Sequence, residues 1–123
     1  MNKIENTLNL TPNRKPTKVN PILHRRNTLV KHLNRQLKLV SEFKSGIKVK
    51  NVWFWNDEEG NYYLPIKYGK TDIELSKNKF SILCKSIDEI ETNLEKVKTM
   101  TLQGSLDSIL TEVGKNLRSK FKK

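Results

Sequence analysis

The sequence predicts an α+β domain made of a basic N-terminal helix, a four-stranded antiparallel β-meander and one or two C-terminal helices. Three observations lead there. Apolar residues recur at three- and four-residue spacing over 20–45 and again after residue 86. Two β-forming runs, Val52-Trp53-Phe54-Trp55 and Tyr62-Tyr63-Leu64 with Ile66, flank the polar turn Asn56-Asp57-Glu58-Glu59-Gly60-Asn61. Asn20-Pro21 and Ser86-Ile87-Asp88-Glu89 both carry helix-start chemistry.

A chain of 123 residues is long enough for one domain around one core. Apolar residues make up 35% and charged residues 30%, a polar balance that points to an unpacked portion, placed at residues 1–19. The net charge of +11 is unevenly distributed: residues 1–50 hold 12 Lys+Arg against 2 acids, whereas residues 51–123 hold 12 against 11. A field of that sign favours a polyanionic partner.

Residues 1–19, with Pro12 and Pro16 and with Arg14, Lys15 and Lys18 among Asn and Thr, read as a flexible basic arm. The domain proper is expected over 20–123. Its first helix, 20–45, starts at Asn20 as cap with Pro21 at the first helical position, and Gly46 stops it. Ile22, Leu29, Leu33, Leu37 and Val40 form its apolar side. His24, Lys31, Arg35 and Lys38 fall within about 60° of one another on the opposite side, and Arg25 and Arg26 add charge beside the start of this stripe.

The sheet is expected over 48–85. Alternation sends Val52 and Phe54 to one face and Trp53 and Trp55 to the other; Tyr62, Leu64, Ile66 and Tyr68 likewise oppose Tyr63 and Lys67. Pro65 has no ladder donor, so its strand should lie at an edge or bulge there. The chain turns at Tyr68-Gly69-Lys70, runs through a short third strand over 72–75, turns again over 76–79 and enters a fourth strand with Phe80, Ile82 and Cys84 on one face. Helices over 87–101 and 105–121 follow, separated by Gly104-Ser105, the second ending in a basic tail. The outer face of the first carries Asp88, Glu91 and Glu95, so that helix is unsuited to phosphate contact and is expected to cover the core side of the sheet or to pack at a dimer seam.

Catalytic patterns are missing from the sequence: it holds no glycine-rich phosphate loop, nucleophile elbow, paired-His zinc motif or Cys cluster. His24 and His32 stand about 80° apart round the helix and make poor co-ligands. The single Cys84 has no disulfide partner and reads as a buried thiol. The expectation is a protein that is not an enzyme and uses no cofactor or metal. No apolar run reaches membrane-spanning length and the first ten residues lack a secretory core, which predicts a cytoplasmic or virion-packaged protein with no membrane partner.

From Arg26 onward the chain resembles a family of small phage and proteobacterial proteins of unknown function, through RNTLVKHLNRQ, VWFW, an acidic-Gly turn, YYLPIKYG, IELSKNKFSI, LEKVK, GSLDSIL and LRSKF. That resemblance implies a phage-type origin. The passage KNKFSILCKSIDEIETNL is similar to the last strand and helix of positive cofactor four and of Whirly-like single-stranded-DNA binders. In that group a sheet dimerised through its helices presents basic and aromatic side chains to unpaired bases. The resemblance implies a homodimer in which Trp53, Trp55 and Tyr63 stack on bases while Lys50, Lys67 and Lys70 meet phosphates. Read from charge alone, Arg14, Lys15, Lys18, Arg25, Arg26, Lys31, Arg35 and Lys38 are the further phosphate contacts. The functional expectation is a nucleic-acid-binding protein that favours single-stranded or distorted DNA or RNA. The alternative is a module that docks its basic helix on an acidic host or virion protein.

Overall fold

The structure, a computed structural model, describes residues 7–14 and 20–121, and side chains as far as residue 115. It is the expected α+β arrangement, with helices α1 (Pro21–Lys44), α2 (Ile87–Leu102) and α3 (Asp107–Phe121) around strands β1 (Trp55–Asn56), β2 (Tyr62–Pro65), β3 (Lys67–Tyr68), β4 (Thr71–Asp72) and β5 (Ser81–Cys84).

Helix α1 begins and ends where its caps dictate. Asn20 Oδ1 accepts from the N–H groups of Ile22 (3.0 Å) and Leu23 (3.4 Å), and Pro21 needs no partner. At the other end Gly46, at φ 85°, lets its own N–H reach the Phe43 carbonyl and that of Ile47 reach Glu42, a Schellman closure. Gly104 closes α2 in the same way, with its N–H on Thr101 and that of Ser105 on Met100. The start of α2 is tied by Ser86 Oγ, which accepts from Glu89 N (3.3 Å), while the Glu89 carboxylate accepts from Lys85 N.

The two long helices lie antiparallel. Lys44 at the end of α1 pairs with Asp88 (2.7 Å) and Glu91 (3.5 Å) at the start of α2, while Arg26 near the start of α1 reaches Asp107, just past the end of α2. Between them and the sheet sit Leu29, Leu33 and Val40 of α1, Ile90, Leu94 and Val97 of α2, Leu106 and Leu110 at α3, and Phe54, Leu64, Ile66, Ile73 and Cys84. Helix α2 therefore covers the core side of the sheet, the first of its two expected roles.

The meander is only approximate. One antiparallel sheet has the order β1-β2-β5 and a separate hairpin is formed by β3 and β4. The chain over 48–54 is not strand. Asn51 takes φ 64°, which breaks the extended run, and the Gln36 side chain occupies the main-chain groups that a ladder would need, donating Nε2 to Asn51 O (3.1 Å) and accepting from Trp53 N (2.9 Å). The expected third strand over 72–75 shrinks to Thr71–Asp72, paired across a two-residue Gly69-Lys70 turn. Pro65 ends β2 opposite Ser81, beyond the stretch that β1 pairs, so it sits on a locally open edge where its missing N–H is harmless.

Candidate nucleic-acid interface

All four members of the stripe, His24, Lys31, Arg35 and Lys38, are exposed on α1. At one border of the stripe the helix meets the loop before β1 and the tip of the β3–β4 hairpin. The three surfaces enclose a cleft of about 210 Å³ lined by His32, Arg35, Gln36, Asn51, Trp53 and Gly69. Lys50 and Lys70, both exposed, are the chain neighbours of Asn51 and Gly69 at its rim.

The cleft owes its shape to one polar side chain. Gln36 is 4% exposed and stands on the core-facing arc of α1 with Leu29, Leu33 and Val40. Its amide donates to the main chain of Asn51 and accepts from that of Trp53, so it fixes the loop against the helix. The groups left to meet a ligand are the Arg35 guanidinium, the His32 imidazole and the Trp53 ring.

The expected stacking trio is divided. Trp53 is half-buried and packs on the core, because the chain there is a loop and strand alternation does not apply. Trp55, 54% exposed, and Tyr63 face outward on the other side of the sheet, stacked on each other with centroids 4.3 Å apart and planes 19° apart. The register Trp55↔Tyr63↔Leu83 extends this into a row across three strands, ending at exposed Leu83. Tyr63 donates its hydroxyl to Asp57 Oδ2 (3.0 Å). Burial alone would raise the Asp57 pKa, but hydrogen bonds from Asn61 N, the Tyr63 hydroxyl, the Asn61 amide and Glu59 N outweigh it and hold the carboxyl below its usual range. Asp57 thus organises the turn.

The basic set divides as well. Arg25 and Arg26 turn away from the stripe to α3: Arg26 donates Nε and Nη2 to the two oxygens of Asp107 at 2.9 and 2.6 Å, and Arg25 Nη1 lies 3.5 Å from Thr111 Oγ1. At 100° per residue both flank the apolar arc of α1, a signal present in the sequence. Lys67 is half-buried and pairs with Asp72 at 3.7 Å. Arg14 is exposed, and Lys15 and Lys18 lie outside the described residues. What converges on the cleft is therefore Arg35 and Trp53, with Lys31 and Lys38 along the stripe and Lys50 and Lys70 on the rim. His32, Gln36, Asn51 and Gly69 were not foreseen there.

Among the described residues no group of three His, Cys, Asp or Glu is placed to hold a metal ion, and no helix is long and apolar enough to cross a membrane. Compared with protein-family models, curated proteins and solved structures, the chain has no match in any of the three.

Proposed function

We propose that this protein is a non-catalytic binder of single-stranded or distorted DNA or RNA, with little sequence preference, and that the α1 stripe and its cleft make the contact. The observation that carries the reading is the meeting of Arg35 with Trp53 in one open cleft, at the border of a helix face that holds no acid from His24 to Lys38. Lys31, Arg35, Lys38, Lys50 and Lys70 take phosphates, and a base stacks against Trp53 or is held by the Arg35 plane. Stacking of this kind contributes about 1–3 kcal/mol per base and tolerates any sequence.

The test is tryptophan fluorescence during titration with single-stranded DNA, duplex DNA and RNA over a range of salt. Single strands should quench most strongly. The logarithm of the binding constant should fall against log salt with a slope of about −3.5, as five neutralised phosphates on a single strand require. Absence of binding at low salt would end this reading. The second reading is docking of the basic α1 helix on an acidic protein; the exposed Trp55–Tyr63–Leu83 row adds apolar surface of the kind that protein interfaces cover.

A further inference from the structure

The cleft between α1, the loop before β1 and the hairpin tip is small and rich in donors, and those two properties select a ligand more narrowly than charge does. Its volume of about 210 Å³ lies below the ~300–1,000 Å³ of clefts that enclose whole small molecules, so it has room for one ring system. The flat Trp53 side chain on its lining offers that ring a stacking surface.

The hydrogen-bonding groups around the cleft are unequal. Two acceptors already receive hydrogen bonds, Asn51 O from Gln36 Nε2 at 3.1 Å and Gln36 Oε1 from Trp53 N at 2.9 Å. Of the arginines on α1, Arg25 and Arg26 are turned to α3, whereas the exposed Arg35 has no side-chain hydrogen bond or ion pair among the described residues. A guanidinium donates through a flat fork of N–H groups and accepts nothing. His32, one turn earlier on the same helix, can donate or accept and so does not discriminate.

A fork that only donates calls for a ligand edge with two neighbouring acceptors. Guanine presents O6 and N7 side by side, whereas adenine sets its N6 donor beside N7, cytosine brings a donor at N4, and thymine offers O4 alone.

We propose that the cleft takes one unpaired guanine, stacked on Trp53 with its O6 and N7 on the Arg35 fork, while the lysines of the stripe and rim hold phosphates. The proposal rests on the nucleic-acid reading and deepens it: the preference belongs to one base, and the rest of the strand goes unread. A base edge occupies only part of the guanidinium, which keeps donors for a phosphate as well.

The experiment titrates the full chain, at low salt, into fluorescently labelled oligo-dT strands that carry guanine, inosine, 7-deazaguanine, adenine or thymine at one central position. Inosine keeps O6 and N7; 7-deazaguanine lacks N7. The guanine and inosine strands should bind about tenfold more tightly than the other three, the size of one bidentate base contact. Arg35→Lys keeps the charge without the fork and should bring that ratio close to one, with a thermal melt to check that the variant is folded. Equal affinity for all five strands would leave the nucleic-acid reading standing and overturn the guanine assignment. A preference for adenine would give the readout to an amide of the lining, Gln36 or Asn51, and a guanine preference that survives Arg35→Lys would move it to another group; either overturns the inference. Absence of binding to every strand would end the nucleic-acid reading together with it.

Discussion

Asp107 receives both Nε and Nη2 of Arg26, and Gly104 is backed against the pair so closely that a Cβ there would stand 2.7 Å from Arg26 Nη2 and 3.0 Å from Asp107 Oδ2. The glycine that closes α2 at φ 84° is also the residue that leaves room for the link from α1 to α3. One position therefore serves a helix end and a tertiary contact.

Gly104→Ala should destabilise the fold by about 1–2 kcal/mol through the left-handed backbone alone, and further by displacing Arg26. Urea denaturation at neutral pH measures it. Asp107→Asn, which keeps the backbone free, should show only the second part.

The hydrogen bonds from Arg26 hold the Asp107 carboxyl below the ordinary carboxylate range, with the charge attraction adding to them against partial burial. A carboxyl depressed in the folded state stabilises the fold fully above its unfolded pKa, about 3.9, and that contribution is lost as pH falls through the lower folded value. Denaturation midpoints recorded from pH 6 down to about pH 2 should therefore fall more steeply for the parent than for Asp107→Asn.

Charge reversal should separate the two basic groups on α1. Arg35→Glu with Lys38→Glu should abolish single-strand binding at moderate salt and leave the melting temperature nearly unchanged, because both side chains are exposed. Arg26→Glu should lower the melting temperature instead, since it places two carboxylates together at Asp107. Binding isotherms and thermal melts on the same samples distinguish these outcomes.

Gln36→Met keeps the side-chain volume but leaves Asn51 O and Trp53 N without their partner, which should cost about 1–3 kcal/mol for each group left buried. The Trp53 emission should shift to the red as the loop leaves the helix. If stability and emission stay put, the amide is not what holds the cleft.

Trp55→Ala should remove about 0.5–1.5 kcal/mol for the lost aromatic pair, in addition to the part of the ring that is covered, and leave the domain folded. Trp53→Ala, at a residue packed on the core, should destabilise the domain more and remove the ligand-dependent quenching. Leu33→Ala, in the fully buried seam of α1, should cost about 2–5 kcal/mol. Comparing all three by denaturant titration sets the two tryptophans on a common scale.

The helices were legible because their information is local. Asn20-Pro21, Gly46, Ser86 with Glu89, and Gly104 each act within a few residues, and the apolar spacing that marks α1 and α2 is the spacing that buries Leu29, Leu33, Leu94 and Val97. The inward set Leu64, Ile66 and Cys84 followed from alternation for the same reason. Where a helix face was read as uniform, the angle already held the distinction: Arg25 and Arg26 flank the apolar arc, and Gln36 lies within it.

By itself the sequence determined the α+β class, the ends of the helices, the inward faces and the concentration of positive charge before residue 51, all of which are set by neighbours along the chain or by composition. Only the tertiary structure decided that Trp53 joins Arg35 while Trp55 joins Tyr63, and that two arginines of the basic helix turn toward α3. A single buried amide, Gln36, competes with the β-ladder for Asn51 and Trp53 across 15 and 17 residues of chain, and a contact at that separation leaves no mark on the local pattern from which strands are read.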